Sequence, residues 1–301
     1  MTKPLAVPVD EDHVRSRRRS IKDTMLGLAF LGPSAVIFTA FFFYPLYRLV
    51  WLGLHQQNRT GTRERWVGFS QYADTLTSAD FLDGVRISAT YVLYTVPLGL
   101  VLGVLLAVVA DRKLRGIKVF QTIFASTVAS SVAVASVIFF VLINPQVGYF
   151  GDVSFLSLSD PGSALRGVAL SSVWQNLGLT FIIVLAGLQA IPAEINEAAT
   201  LDGYGPFRRF WRITIPLISP SLMFLVVVLT VFAFQAYAQV DILTGGGPAG
   251  ATETLVWKIF SDKEPSQYGE GAVMASGLFV ITLGVTLAQF RILEKRVHYG
   301  A

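Results

Sequence analysis

Apolar residues dominate six stretches of this 301-residue chain, at roughly 25–47, 87–110, 119–143, 167–191, 217–240 and 272–290. As helices rising about 1.5 Å per residue, all six are long enough to cross roughly 30 Å of hydrocarbon, and the second, third and fourth hold no charged residue. Backbone N–H and C=O groups find no water in a bilayer core, so a spanning segment must satisfy them internally, as a helix does. The pattern therefore predicts an all-α, polytopic membrane protein with six transmembrane helices, formed by residues 24–301. Residues 1–23 are polar and read as a disordered tail. A basic stretch before an apolar run also suits a signal peptide, but the run from Met25 to Tyr47 exceeds the usual core of about 7–15 residues, so an uncleaved first span is expected.

The polar loops orient the spans. Arg15, Arg17, Arg18, Arg19 and Lys22 in the tail fall on one side with Arg112, Lys113, Arg115 and Lys118, with Arg208, Arg209 and Arg212, and with Arg291, Lys295 and Arg296. Loops 55–86, 144–166 and 241–271 hold fewer bases, largely offset by acids. Because basic loops stay inside, both termini and loop 192–216 are expected in the cytoplasm. Among the outer segments, 70–84 reads as a short interfacial helix. The Gly-rich stretch 241–257 reads as a flexible turn, since no lysine follows Gly250 where a phosphate-binding loop would need one.

Composition agrees. Charged residues make up 15% of the chain, against about 25% in soluble domains, and mean hydropathy is +0.57. The net charge of +4 is segregated by loop, which suits membrane orientation rather than a nucleic-acid partner. There is no cysteine, and His13, His55 and His298 lie too far apart to suggest a metal site. No catalytic constellation is found: paired carboxylates, HExxH and Gly-x-Ser-x-Gly are all missing. The spans also lack a run of Asp, Glu or His that could relay protons, which counts against an ion-coupled secondary carrier.

Within the spans, Gly99, Gly103 and Ala107 recur every fourth residue and read as a close-packing face, with Thr122, Ser126 and Ser130 as a similar stripe. Trp174, Gln175 and Asn176 lie deep in the fourth span. Gln235 and Gln239 are spaced to share a face of the fifth, with Tyr237 between them. Amides pair with hydroxyls and aromatic rings cover sugar CH groups, so these are candidates to line a path for a small polar substrate. The alternative is hydrogen bonding between helices. Asp241 ends the fifth span, placed to cap or gate it, and Arg48 ends the first, placed to reach the headgroups.

Residues 192–216 carry the clearest turn grammar. Pro192 and Glu194 suit a helix start, Ile195, Ala198, Ala199 and Leu201 supply a small apolar face, and Asp202-Gly203 suits a stop. Gly205-Pro206 restarts a short basic helix. The spacing Glu197-Ala198-Ala199, three residues, Gly203, nine residues, Ile213-x-Ile215-Pro216 resembles the EAA loop of ABC importer permeases, with Ile215 where leucine is usual. The rest resembles the carbohydrate-uptake, maltose-type branch. Gly246-Gly247-Pro248, Ala251-Thr252, Leu255-x-x-Lys258-Ile259, Gln289-Phe290-Arg291 and Glu294-x-x-Val297 are similar to the first permease subunits of glycerol-phosphate importers.

The resemblance implies a type I importer permease fold in the bacterial cytoplasmic membrane. It implies that Glu197, Ala198, Ala199, Asp202, Gly203 and Pro216 couple to an ATPase. It also implies a second, different permease subunit, two ATPase subunits that bind ATP and magnesium, an extracytoplasmic substrate-binding protein, and no cofactor in this chain. Glycerol phosphate or a glycerophosphodiester is the expected substrate, with an oligosaccharide such as maltose or trehalose as the alternative. No basic residue lies deep in any span, although a phosphate usually calls for one.

Overall fold

The computed structural model describes residues 11–112, 114–146, 148–261 and 264–296. The chain divides into two units, Met1–Leu52 and Gly53–Ala301. In the first, helix α1 (Glu11–Phe38) passes through a π turn at Thr39–Phe43 into α2 (Tyr44–Gly53). Helix thus begins at Glu11, inside the stretch assigned above to a disordered tail; residues 1–10 lie outside the described residues. The cause is local: no Gly or Pro interrupts residues 11–26. The apolar part, Met25–Gly53, presents exposed side chains such as Phe30 and Phe41.

The second unit opens with a small hairpin, β1 (His55–Gln57) against β2 (Glu64–Trp66), a feature the all-helical reading missed. The predicted interfacial helix 70–84 proves to be two elements, α3 (Ser70–Leu76) and the first turns of α4 (Ala79–Ala110). Ser78 sets the boundary: its extended backbone and Oγ, which accepts the Phe81 N–H at 3.2 Å, cap the long helix, and Asp80 adds charge at that end.

Helices α5 (Ile117–Ala125) and α6 (Val132–Ile143) follow, bent by 107° at a short break, so the third apolar stretch is no straight span. Hydroxyls compete here for backbone groups. Ser126 Oγ donates to Ile123 O at 2.7 Å, Ser130 Oγ to Thr127 O at 2.7 Å, and Ser131 Oγ accepts the Val134 N–H at 3.2 Å to start α6. The stripe Thr122, Ser126 and Ser130 is not what packs inside the chain: contact runs through buried Thr127, whose Oγ1 accepts the Gly178 N–H at 2.8 Å.

Helix α7 (Ala164–Gln189) is the most buried span, and α8 (Ala193–Leu201), α9 (Pro206–Arg209) and α10 (Ile215–Leu217) form the segment after it. Helix α11 (Ser219–Phe234) is bent by 68° from the run before it and stops at Phe234; α12 (Ala238–Thr244) restarts beyond. Helices α13 (Leu255–Phe260) and α14 (Tyr268–Leu293) complete the unit. By length and composition four described helices can cross a membrane, or six if each bent pair counts as one span.

Between lipid-embedded helices the water-driven hydrophobic term is gone, so close packing and hydrogen bonds must hold them. Small residues supply the packing where α4 crosses α7: Ala107 is fully buried, and a Cβ at Gly103 would press on Thr180. Tyr91 and Ser172 join hydroxyls across the same pair, and Gln289 Nε2 donates to Thr230 Oγ1 at 2.8 Å between α14 and α11. One apolar cluster holds Tyr91, Phe139, Val168 and Val240; another, toward the C-terminal ends of α4 and α7, holds Ala110, Phe181, Val184 and Leu225.

The Gly-rich segment is packed rather than flexible. Gly245, at φ 56°, ends α12; Thr252 is fully buried, and its Oγ1 donates to Gly247 O at 2.8 Å. Ser88 Oγ accepts the Leu255 N–H at 2.8 Å, pinning α13 to α4. Buried Lys258 pairs with Asp80 and, at 3.2 Å, with Glu253. Burial alone would lower the Lys258 pKa, but the hydrogen bonds and charges of Asp80 and Glu253 outweigh it and hold the pKa above 10.5. A raised pKa stabilises the fold at all pH below the ordinary value and is lost only above it. Melting temperature is therefore expected to stay level with respect to this group between about pH 7 and 9. Lys258→Met should cost about 1–2 kcal/mol, since half-exposed Asp80 stays hydrated, read as a drop of roughly 3–6 °C in detergent.

Candidate functional site

Two features combine chemistry with access: the polar segment after α7, and a cavity inside the helices.

In the polar segment, Pro192 is the residue before α8 rather than part of its first turn, and Glu194 lies in that turn. The helix ends at Leu201 with Asp202 as its C-cap, and Gly203 reverses the chain at φ 76°, a left-handed conformation that costs glycine little. Tyr204 N–H then returns to Ala199 O at 3.0 Å. Gly205 and Pro206 start α9, whose Arg209 Nη1 donates to Thr200 Oγ1 at 3.3 Å, while Arg208 lies 4.7 Å over the Tyr204 ring. The two short helices are thereby fixed as one hairpin.

The apolar face differs from the expected one. Ala199 is buried and Ile195 half-buried, but Ala198 and Leu201 point outward. Leu201 is 89% exposed and Phe207 78%, beside exposed Glu197 and Asp202; Pro216 is half-buried where the chain turns back toward α11. An exposed leucine and phenylalanine flanked by an acid and by arginines have the make-up of a protein-docking surface. Glu197 has no side-chain hydrogen bond or ion pair among the described residues.

The cavity, about 470 Å³, lies between the middles of α4 and α7 and the C-terminal end of α11. Gln175 and Asn176 reach it from α7, Gln235 and Tyr237 from the break between α11 and α12, and Gln239 from the first turn of α12. Gln235 and Gln239 do not share a face of one continuous helix, as their spacing suggested. The helix ends between them, and the irregular turn aims both at the cavity. Gln239 Nε2 donates to Gln175 Oε1 at 3.3 Å, and Asn176 Nδ2 donates to Ser172 O at 2.9 Å. Val132, Leu229 and Phe232 add apolar wall, and no lining residue is charged. Its volume and its few convergent polar groups on an apolar wall are those of a small-molecule site.

Trp174 is excluded from the cavity: it packs against Phe139 at 5.7 Å in the apolar core. Asp241 is excluded too, exposed in the first turn of α12 and accepting the Trp257 Nε1–H at 3.3 Å. Thr95, Gly99 and Ser172 line the cavity although the sequence did not single them out for it. Single hydroxyls in apolar helices are too common to stand out, and Gly99 looked like the Gly103 one turn away. No group of His, Asp or Glu among the described residues could hold a metal ion.

Comparison with known proteins supplies the context. Residues 99–299 match the model of the family described as the binding-protein-dependent transport system inner membrane component. The sn-glycerol-3-phosphate transport system permease protein UgpA of Rhizobium meliloti (strain 1021) is 34% identical over 278 residues, covering 90% of this chain and 95% of that protein. Its namesake in Yersinia enterocolitica is 33% identical, covering 89% and 93%. Among solved structures, a chain of a bacterial alginate ABC transporter, in complex with its alginate-pentasaccharide-bound periplasmic protein, superposes with a TM-score of 0.77. It is 19% identical, covers 94% of this chain and 99% of its own, and so shows a shared fold. With a family match across two-thirds of its length and relatives above 30% identity end to end, the chain belongs to the binding-protein-dependent transport system inner membrane components, the permease subunits of ABC importers.

Proposed function

We propose that the chain is one of two different permease subunits of an ATP-driven importer in a bacterial cytoplasmic membrane, and that it takes up sn-glycerol-3-phosphate or glycerophosphodiesters. The combination of an amide-lined cavity with an exposed hairpin carrying Glu197 and Leu201 supports this reading. The substrate class comes from the relatives' shared name. Residues 24–301 form the membrane domain, with six spans if each bent pair crosses once, and residues 1–23 a cytoplasmic tail. Both termini and the hairpin 192–216 face the cytoplasm, where the basic loops lie.

In this reading Glu197, Ala198, Ala199, Asp202, Gly203 and Pro216 form or fix the surface that docks on an ATPase, which itself holds ATP and magnesium. Closure of two such ATPases moves the hairpin as a rigid piece, and the cavity opens outward to receive substrate from the binding protein. Gln175, Asn176, Gln235, Tyr237 and Gln239 then meet the substrate's hydroxyls, and Trp174 and Asp241 act only as supports.

A second reading, a permease for a neutral oligosaccharide, is favoured by one observation: the uncharged cavity lining. Reconstitution with the partner subunits and binding protein separates the two. The first reading predicts ATP hydrolysis stimulated by glycerol phosphate or glycerophosphodiesters; the second predicts stimulation by maltose or trehalose. Flux through this chain alone, without ATP, would overturn both and indicate a secondary carrier.

A further inference from the structure

We infer that this chain's side of the cavity receives the uncharged, hydroxyl-bearing part of a phosphate-ester substrate, and that a cation of the second permease subunit meets its phosphate. The inference rests on the proposed substrate path.

The sequence holds no lysine or arginine from 213 to 257, nor in 87–110 or 167–191, so α4, α7 and α11 bring no cation to the cavity level. The first on α4 and on α7 above it are Arg86 and Arg166, each nine residues before a lining residue, Thr95 and Gln175. Nine residues of helix place them roughly 13 Å along the axis, out of contact with a ligand among the amides. Arg166 stacks over the Phe155 ring at 4.3 Å. Arg86 lines a separate cleft of about 320 Å³ with Lys258, against Asp83 and Glu253, two bases facing two acids.

Burying a dianion without a cation is costly, whereas amides serve hydroxyls as both donor and acceptor. Gln175 and Gln239 already bond each other at 3.3 Å, so each retains lone pairs or N–H groups for a polyol. The start of α6, near Val132, offers backbone N–H groups, but Ser131 Oγ already takes that of Val134. The chemistry divides the substrate by polarity: neutral end on this subunit, anionic end across the path.

The test reads how uptake depends on the sign of a charge placed in the cavity. Gln175→Glu and Gln175→Lys are compared in the assembled transporter, with binding protein, ATP and labelled glycerol 3-phosphate in proteoliposomes. Both substitutions should lower uptake, with lysine no better than glutamate. Uptake in the lysine variant about 100-fold above the glutamate variant would place the phosphate beside Gln175 and overturn the inference, a ratio that corresponds to about 2.7 kcal/mol. Gln175→Leu should also lower glycerol 3-phosphate uptake at least tenfold, roughly one or two hydrogen bonds, while affecting propyl phosphate less. Equal loss for both substrates would contradict a hydroxyl contact. If a Gln175 variant fails to assemble by size exclusion, the Gln235→Glu and Gln235→Lys pair gives the same readout from a more exposed position. Failure of the importer reading looks different, since the parent itself would show no uptake that depends on the binding protein.

Discussion

Replacing Glu197 with arginine is expected to cut ligand-stimulated ATP hydrolysis by the assembled transporter about 100-fold while leaving the amount of folded chain unchanged. Glu197 is exposed on α8 and its side chain engages no partner among the described residues, so the fold should lose less than about 0.5 kcal/mol. At a docking surface, reversing a charge removes one attraction and adds one repulsion, commonly worth about 2–5 kcal/mol, or roughly 30-fold to several thousand-fold. Glu197→Gln should fall between parent and reversal. The measurement is ATP hydrolysis of purified complex with saturating binding protein and ligand, alongside size exclusion of the permease pair. Full activity in Glu197→Arg would show that this face does not couple.

The second large effect separates two glycines that sequence spacing puts on one stripe. Gly103→Leu should abolish recoverable folded protein, because even a Cβ there presses on Thr180 where α4 and α7 touch. Overpacking of this kind costs about 1–3 kcal/mol where neighbours can shift, and more where the obstacle is the adjoining helix. Gly99→Leu should behave in the opposite way. A Cβ at Gly99 meets nothing within 4 Å and faces the cavity, so the chain should fold and melt as the parent does, yet transport should fall at least about tenfold because the new side chain fills the site. Monodisperse yield in detergent and uptake in proteoliposomes, measured on both variants, check the pair. Loss of folding in both would return Gly99 to the packing face.

These two glycines illustrate what a sequence can convey. Four-residue spacing identifies a face that admits close approach, but whether a helix or a void occupies it depends on residues far away in the chain. Gly103 meets Thr180; Gly99 meets none. The hairpin was legible because its signals are local: Pro206 at a helix start, and Gly203 at a turn that needs positive φ. The direction of Leu201 was not, since an apolar residue reads as inward unless a partner is known to cover it, and here it is 89% exposed.

The break at Gln235–Tyr237 carries no glycine or proline. Its only trace was a cluster of polar residues in an apolar run, which coincides with the cavity lining but suggested a continuous helix. Trp174 and Gln175, adjacent in sequence, turn to opposite environments because neighbours on a helix lie about 100° apart. Depth alone could not distinguish core from lining. The bend near Ser130 was encoded by a dense run of hydroxyls, a signal that carries weight only when their backbone bonds are seen.

We propose the hairpin 192–216 as the cytoplasmic surface through which an ATPase drives this permease. Its most direct test uses the lack of native cysteine, which makes a single introduced thiol unambiguous. Leu201→Cys in the assembled complex is treated with a short bismaleimide, with cysteines placed singly over the ATPase surface. The account predicts a cross-linked permease–ATPase product at one cluster of ATPase positions, with a yield that changes when ATP binds. No product at any position, together with labelling of Leu201→Cys by an impermeant maleimide from outside intact cells, would contradict it.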